Sequence, residues 1–270
     1  MESFDGRTAV ITGGASGIGL GLAERLAAEG MKLVLADIEA PVLDAAASRL
    51  RDGGTDVTTF VCDVSDGSAV DALADLAFDT YGAVHVVCNN AGVVAKHDSW
   101  GPLADWEWVL GVDLWGVIHG VRAFVPRMLA AGEPGHIMNT ASTAGLLAFP
   151  GIPSYNVAKR GVVALSETLH HEFEGTAMEV SVLCPGIVET NITKSERNRP
   201  GPEVPGYESD VPRQGAAESM TPAEVASVVL DAMRSGRFWI LPQEHYGAQA
   251  LDQAQRRIDG GPPVMPYIDR

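Results

Sequence analysis

The sequence predicts an α/β fold built on a doubly wound parallel sheet of about seven strands, with helices on both faces. Three observations point there. Short β-branched runs alternate with longer segments of helical period, which is the pattern of strands joined by crossover helices. Most of those runs are apolar throughout, as strands covered on both faces are. The first run leads directly into a glycine-rich turn and a helix. At 270 residues and 46% apolar composition the chain can bury a sizeable core.

The strands are expected over Thr8 to Thr12, Lys32 to Asp37, Val57 to Asp63, Val84 to Asn89, His136 to Ala141, Glu179 to Cys184 and Phe238 to Leu241. Ile18, Leu22 and Leu26 recur every four residues and define the first helix, with Gly30 placed to end it. Long helical segments over Asp105 to Ala131 and Ser154 to Glu174 carry apolar residues on more than one face, a surplus that oligomer packing would use. Between Thr190 and Thr221 periodicity disappears among prolines, glycines and charges, so residues 190–220 are expected to form a lid. Thr221-Pro222-Ala223-Glu224 then reads as a capping box that starts another helix. No repeat or linker interrupts the chain, which implies one domain over 1–270. An extension follows residue 241 and either reaches a neighbouring subunit or trails in solvent.

Charge and composition exclude several roles. The 19 Lys and Arg residues against 35 Asp and Glu give a net charge of −16 with no basic patch, which argues against nucleic acid and anionic membranes as partners. Met1 to Arg7 is polar, and no uninterrupted apolar stretch reaches membrane-spanning length, so the expected location is the cytoplasm. Cys62, Cys88 and Cys184 are odd in number, far apart and set in apolar runs. They are expected to be small buried hydrophobes in a reducing compartment. The seven histidines, His170-His171 included, show no metal-ligand spacing, so no metal is expected.

After the first strand comes Thr12-Gly13-Gly14-Ala15-Ser16-Gly17-Ile18-Gly19. Glycines permit tight turning and close approach of a ligand, and the helix N-terminus attracts a pyrophosphate. Asp37, at the end of the second strand, stands where a carboxylate binds the two ribose hydroxyls of an adenosine. Asp63 and Val64 close the third strand in position to meet the adenine. Together these residues make the fold Rossmann-type and the cofactor a dinucleotide. A 2′-phosphate would face Asp37, and neither Ile38 nor the turn supplies a cation, so the cofactor is expected to be NAD.

Tyr155 and Lys159 lie four residues apart on one helical face. A phenol is a poor base at neutral pH, but an adjacent ammonium stabilises the phenolate and moves its pKa toward the working range. Ser142 ends the fifth strand at the sheet edge where open α/β sheets bind ligands.

With these motifs the sequence resembles the short-chain dehydrogenases/reductases, in their compact single-domain branch, from about Thr8 to Leu241. Thr12-Gly13 through Gly17 and Gly19 is similar to the family's TGxxxGxG turn, and Asn89-Asn90-Ala91-Gly92 to its NNAG. Ser142 with Tyr155 and Lys159 is similar to the catalytic Ser and YxxxK, and Pro185-Gly186 with Thr190 to the PG…T segment that holds the carboxamide. The resemblance implies catalysis by Ser142, Tyr155 and Lys159. It also implies cofactor contacts from Gly13, Ser16, Gly17, Ile18, Gly19, Asn90, Ala91, Gly92, Pro185, Gly186, Val188 and Thr190, beside Asp37, Asp63 and Val64. One position departs: Asp113-Leu114-Trp115-Gly116 stands where the family has NxxG, so an acid occupies the place of the residue that anchors a water near Lys159.

The pocket is expected to be lined by Val93, Val94, Ala95, Leu146, Leu147, Phe149 and Ile152, which suits a small hydrophobic secondary alcohol or ketone. Trp100, Trp106, Trp108 and Trp115, clustered within sixteen residues, fit an aromatic substrate wall or an oligomer contact, with core and interface packing as the expected role. The expected assembly is a homo-oligomer, a dimer or tetramer. The competing reading is a catalytically silent NAD(H)-binding regulatory protein, against which the Ser142, Tyr155 and Lys159 set argues.

Overall fold

The computed structural model describes residues 3–201 and 219–266, so the central part of the expected lid, 202–218, lies outside the described residues. All seven expected strands are present: β1 (Thr8–Thr12), β2 (Lys32–Asp37), β3 (Val57–Val61), β4 (Val86–Asn89), β5 (Gly135–Thr140), β6 (Met178–Leu183) and β7 (Trp239–Ile240). They form one parallel sheet in the order β3-β2-β1-β4-β5-β6-β7. The chain therefore winds outward from β1 to β3, returns to β4 beside β1, and winds the other way. The crevice between the carboxyl ends of β1 and β4 is the topological switch point, where such sheets bind ligands.

Helices α1 (Gly17–Ala27), α2 (Ala40–Asp52) and α3 (Gly67–Tyr81) follow the first three strands. Alternate residues of β1 feed opposite faces of the sheet. Ala9 and Ile11 pack with Leu22 and Leu26 of α1, whereas Val10 packs with Val70 and Leu73 of α3. Both faces are thus covered, which is why β1 reads as apolar at nearly every position. Gly30 takes a positive φ of 80° three residues past the end of α1, in the turn that leads to β2.

The segment expected as one helix over Asp105 to Ala131 divides into α4 (Leu103–Leu110), a π-helical turn (Gly111–Trp115) and α5 (Gly116–Ala131). One extra residue per turn rotates Asp113 inward, where it is fully buried. Such π-turns are local departures from regular spacing and recur at functional sites. By length and mean hydropathy, 1.3, the run Leu103–Ala131 could cross a membrane, but it carries the buried Asp113 and packs Val117, Phe124 and Met128 into the core.

Helix α6 (Pro153–Glu172) follows β5, and α7 (Pro222–Arg234) begins with the expected capping box. There the Thr221 hydroxyl accepts from the Glu224 N–H, and the Glu224 carboxylate accepts from the Thr221 N–H. Beyond β7 the chain forms α8 (Glu244–Ile258). The three cysteines are buried and free, and burial pushes their thiols up to about 12. They behave as small apolar side chains.

Candidate active site

The glycine turn is held by one hydroxyl. Thr12 Oγ1 donates to the Cys88 carbonyl (3.3 Å) and accepts from the N–H groups of Asn90 (2.9 Å) and Ala91 (3.2 Å). The Asn90 amide donates to the Thr12 carbonyl at 3.1 Å. The ends of β1 and β4 are thereby tied together across the switch point. Gly13 has a φ of +64°, and a Cβ there would lie 2.9 Å from Ala91 Cα; at Gly19 it would lie 2.0 Å from the Gly13 carbonyl oxygen. Gly19 thus lets α1 sit on the turn and does not itself line the cleft, whereas Gly13, Ser16, Gly17 and Ile18 do. Ser16 caps α1 in extended backbone without a side-chain capping bond, so the first-turn N–H groups remain available toward the cleft. This cradle fits a pyrophosphate.

At the end of the cleft beside β2, Asp37 is oriented by two backbone donors, Ala15 N–H at 3.0 Å and Glu39 N–H at 3.1 Å. Burial raises its carboxyl above the usual value, against the pull of those donors. Asp63 lies just past β3 and accepts from Ser65 N–H (2.9 Å) and Oγ (2.7 Å), and it lines the cleft with Val64.

At the other end, Ser142, Tyr155 and Lys159 line the same cleft. Ser142 caps the 3-10 turn Thr143–Gly145, accepting from the Ala144 N–H at 3.1 Å and donating to the Pro185 carbonyl at 3.4 Å. Lys159 lies one turn along α6 from Tyr155, with Nζ 5.4 Å from the ring centre, and donates to the Thr140 carbonyl at 3.0 Å. Asp113 differs from expectation. Its carboxylate contacts Lys159 directly, Oδ2 to Nζ at 3.2 Å, while Oδ1 accepts from the Val93 N–H at 2.8 Å. The π-turn brings the carboxylate directly to the ammonium, where the resemblance implied a contact through water.

The electrostatics follow from burial. Burial pushes the Asp113 carboxyl up, opposed by the Lys159 ammonium and the Val93 N–H. Burial works to discharge Lys159, but Asp113 and Tyr155 together outweigh it and raise its pKa. For Tyr155 burial is the largest influence and raises the phenol. Lys159 and the Ser142 hydroxyl lower it, Asp113 raises it, and the net shift is upward. The ammonium lowers the phenol pKa as expected, but burial is the larger influence and Asp113 adds to it, so the net shift is upward.

The start of the chain after β7 returns to the Pro185-Gly186 corner, where the Gln243 side chain accepts from the Gly186 N–H (2.9 Å) and donates to the Ile187 carbonyl (2.9 Å). A Cβ on Gly186 would lie 2.2 Å from the ring of Tyr246, so glycine there lets α8 brace the Pro185-Gly186 corner. That corner lines the cleft with Val188 and Thr190.

Val93, Val94, Phe149 and Ile152 line the cleft as expected, joined by Trp108 and Ile192. Ala95, Leu146 and Leu147 do not. Ala95 is buried in a cluster with Val109, and Leu146 packs toward Val117 and Val163, because the 3-10 turn before it presses against α6 at Gly145. The cleft encloses about 380 Å³. A helical turn, Ile192–Asn198, straps over it. Ser195 Oγ accepts from the Val94 N–H (3.0 Å) and donates to its carbonyl (3.2 Å). Arg199 pairs with Asp105 at 2.6 Å and covers the Trp108 ring at 4.5 Å. Of the other tryptophans, Trp106 packs edge-on against His97, while Trp100 and Trp115 are exposed.

A family profile described as short chain dehydrogenase matches residues 7–201. The chain belongs to the short-chain dehydrogenases/reductases. It is 40% identical over 250 residues to the 1-deoxy-11-beta-hydroxypentalenate dehydrogenase of Streptomyces avermitilis, covering 91% of this chain and 88% of that protein. It is 34% identical over 232 residues to 3beta-hydroxysteroid dehydrogenase 2 of Eggerthella lenta, covering 82% and 85%. The crystal structure of a short chain dehydrogenase/reductase from Burkholderia phymatum in complex with NAD is similar throughout, with a TM-score of 0.92, 39% identity and 99% of both chains covered. This short-chain dehydrogenase/reductase is accordingly an oxidoreductase with the Rossmann-type fold of the family.

In this family member all the residues expected to be catalytic or to touch the cofactor, except Gly19 and the buried Asp113, line one cleft, and those two sit directly behind it. Sequence reasoning missed Arg197, Gln243 and Tyr246. None carries a local motif, and each reaches the site through a crossover or from the far end of the chain. The apolar period of α8 and the charges in 190–200 were the available signals, and neither names a target.

Proposed function

We propose that the protein transfers a hydride between NAD(H) and a hydrophobic secondary alcohol or ketone. The observation that carries this reading is the convergence of Ser142, Tyr155 and Lys159 on the same cleft as the glycine turn. Gly13, Ser16, Gly17 and Ile18 would hold the pyrophosphate, and Asp37, Asp63 and Val64 the adenosine. Asn90, Ala91, Gly92, Pro185, Gly186, Val188 and Thr190 would hold the nicotinamide half. A bound nicotinamide supplies or takes up the hydride.

The chain's own groups handle the proton. Ser142 donates to the substrate oxygen, and Tyr155 removes the hydroxyl proton in oxidation or returns it in reduction. Lys159 offsets the burial of the phenol and would hold the nicotinamide ribose. Asp113 positions that ammonium. The apolar lining of Val93, Val94, Trp108, Phe149 and Ile152 favours a hydrophobic substrate, and the relatives named for a hydroxypentalenate and a hydroxysteroid are in keeping with it. Asp37 supports NAD over NADP. The whole of 1–270 acts as one domain with 190–220 as substrate lid. Exposed Trp115, Leu129 and Val157 on the helices after β4 and β5 support a homotetramer, and three free thiols support a cytoplasmic location.

A panel of secondary alcohols with NAD, followed by absorbance of the reduced cofactor, tests the reading. Turnover of alicyclic or other hydrophobic alcohols is the expected result. Failure of every alcohol and ketone despite tight cofactor binding would favour the silent regulator.

A further inference from the structure

One charged pair at the cleft takes no part in the proton relay or the phosphate turn. Glu39 stands at the start of α2, two residues past Asp37, and Arg197 comes from the strap 158 positions later. The guanidinium grips the carboxylate with two bonds, Nε to Oε1 at 2.9 Å and Nη2 to Oε2 at 2.6 Å. Its remaining nitrogen, Nη1, donates to the Lys194 carbonyl at 2.8 Å and the Asn191 carbonyl at 3.4 Å. Glu39 and Arg197 line the same end of the cleft as Asp37, Ile38 and Asn198. Among the described residues lining the cleft the Lys and Arg side chains are Lys159, at the nicotinamide end, and Arg197, at the adenosine end.

We propose that Arg197 is a cofactor-specificity residue held in check by Glu39, so that an incoming 2′-phosphate meets two carboxylates and an occupied cation. This deepens the NAD reading and rests on the adenosine binding beside Asp37. The planar fork of an arginine suits a phosphate as well as a carboxylate, so the two compete for it. Glu39 holds it by proximity: the Arg197 bonds keep the Glu39 carboxyl below its usual range against the effect of burial. The strap carrying Arg197 is also pinned by Ser195 to Val94 and by Arg199 to Asp105. Replacing the Glu39 carboxylate with an amide therefore leaves the guanidinium near the adenosine end with one arm of its fork free. Specificity here is set by occupying a cation as well as by placing an acid.

The test uses the full-length enzyme and two fragments of the cofactor, 5′-AMP and 2′,5′-ADP, with affinities measured by calorimetry. Glu39→Gln is expected to raise the affinity for 2′,5′-ADP relative to 5′-AMP roughly tenfold, the order of one charge-assisted hydrogen bond. Adding Arg197→Met should return the ratio to that of the unaltered enzyme. Mere loss of a negative charge predicts the opposite, a gain at least as large in the Arg197→Met background, because Glu39 is unneutralised there. A gain that survives Arg197→Met, or no gain in Glu39→Gln, would overturn the proposal while leaving the NAD reading intact. Failure of 5′-AMP to bind the unaltered enzyme, or its indifference to Asp37→Ala, would overturn the adenosine site and the proposal with it.

Discussion

The two ends of the cleft each hold an acid and a base in contact, and the pairs behave differently. At the nicotinamide end Asp113 and Lys159 are 0% and 2% exposed and 3.2 Å apart; at the adenosine end Glu39 and Arg197 are 21% and 38% exposed and 2.6 Å apart. The shorter pair is the one that water reaches. Water screens the exposed charges and can replace either partner, whereas neither buried charge has a substitute if the other is lost. Distance alone therefore says little about what a pair does. The buried pair acts on the titration of the neighbouring Tyr155 phenol, and the exposed pair is the one proposed to exchange a partner for a ligand.

The largest expected effect lies at the buried end. Tyr155→Phe should lower kcat by roughly a thousandfold or more while leaving NAD affinity within a few-fold, because the phenol acts on the substrate proton rather than on binding. Near-full kcat in that variant would remove the proton relay from the nicotinamide end. Lys159→Met leaves the Asp113 carboxyl buried without its cation and should destabilise the fold by about 3 kcal/mol, and adding Asp113→Asn should recover much of the loss. Burial already raises the Asp113 carboxyl from its ordinary 3.8, and losing the ammonium raises it further. The folded state of Lys159→Met then binds more protons than the unfolded state, so its stability should fall as pH rises from 3.8 toward the raised value. Denaturant unfolding across pH gives the sign directly.

Cofactor choice probes the exposed end. Asp37→Ser should narrow the NAD over NADP preference in kcat/KM by on the order of tenfold, through weaker NAD binding and relief of repulsion. A higher kcat/KM with NADP in the unaltered enzyme would reverse the assignment of that end. Asp113→Asn sharpens the comparison from the buried side. Asp113 raises the Tyr155 phenol, so its removal should move the acidic limb of kcat/KM for alcohol oxidation to lower pH. An unmoved limb, with folding and NAD affinity intact, would mean that Asp113 only shapes its π-turn. Smallest of all, Arg197→Met should change unfolding stability by less than about 1 kcal/mol, as exposed pairs do. A loss comparable to Lys159→Met would show that the two ends are not electrostatically different.

The strand–turn–helix elements were legible because their information is local. Thr12 through Gly19 needs only its own glycines and the helix behind it, and Tyr155 with Lys159 needs only one helical turn. The strands were legible because β1 is covered on both faces and so reads as an apolar run. The π-turn was not, since an insertion of one residue leaves the apolar period of the long helix nearly intact while rotating Asp113 into the core. Leu146 and Leu147 misled for a related reason: hydrophobicity marks burial, and the core and the pocket bury alike.

The sequence by itself determined the strand segments, the glycine turn and the one-turn spacing of Tyr155 and Lys159, because each is written in a local run of residues. Only the tertiary structure decided which distant groups complete the cleft. Gln243 reaches the Gly186 corner from 57 residues away, and Arg197 reaches Glu39 from 158 away. Those meetings depend on how the crossovers stack around the sheet. No propensity of the residues themselves encodes such a contact, because its energy exists only after the core has brought the two segments together.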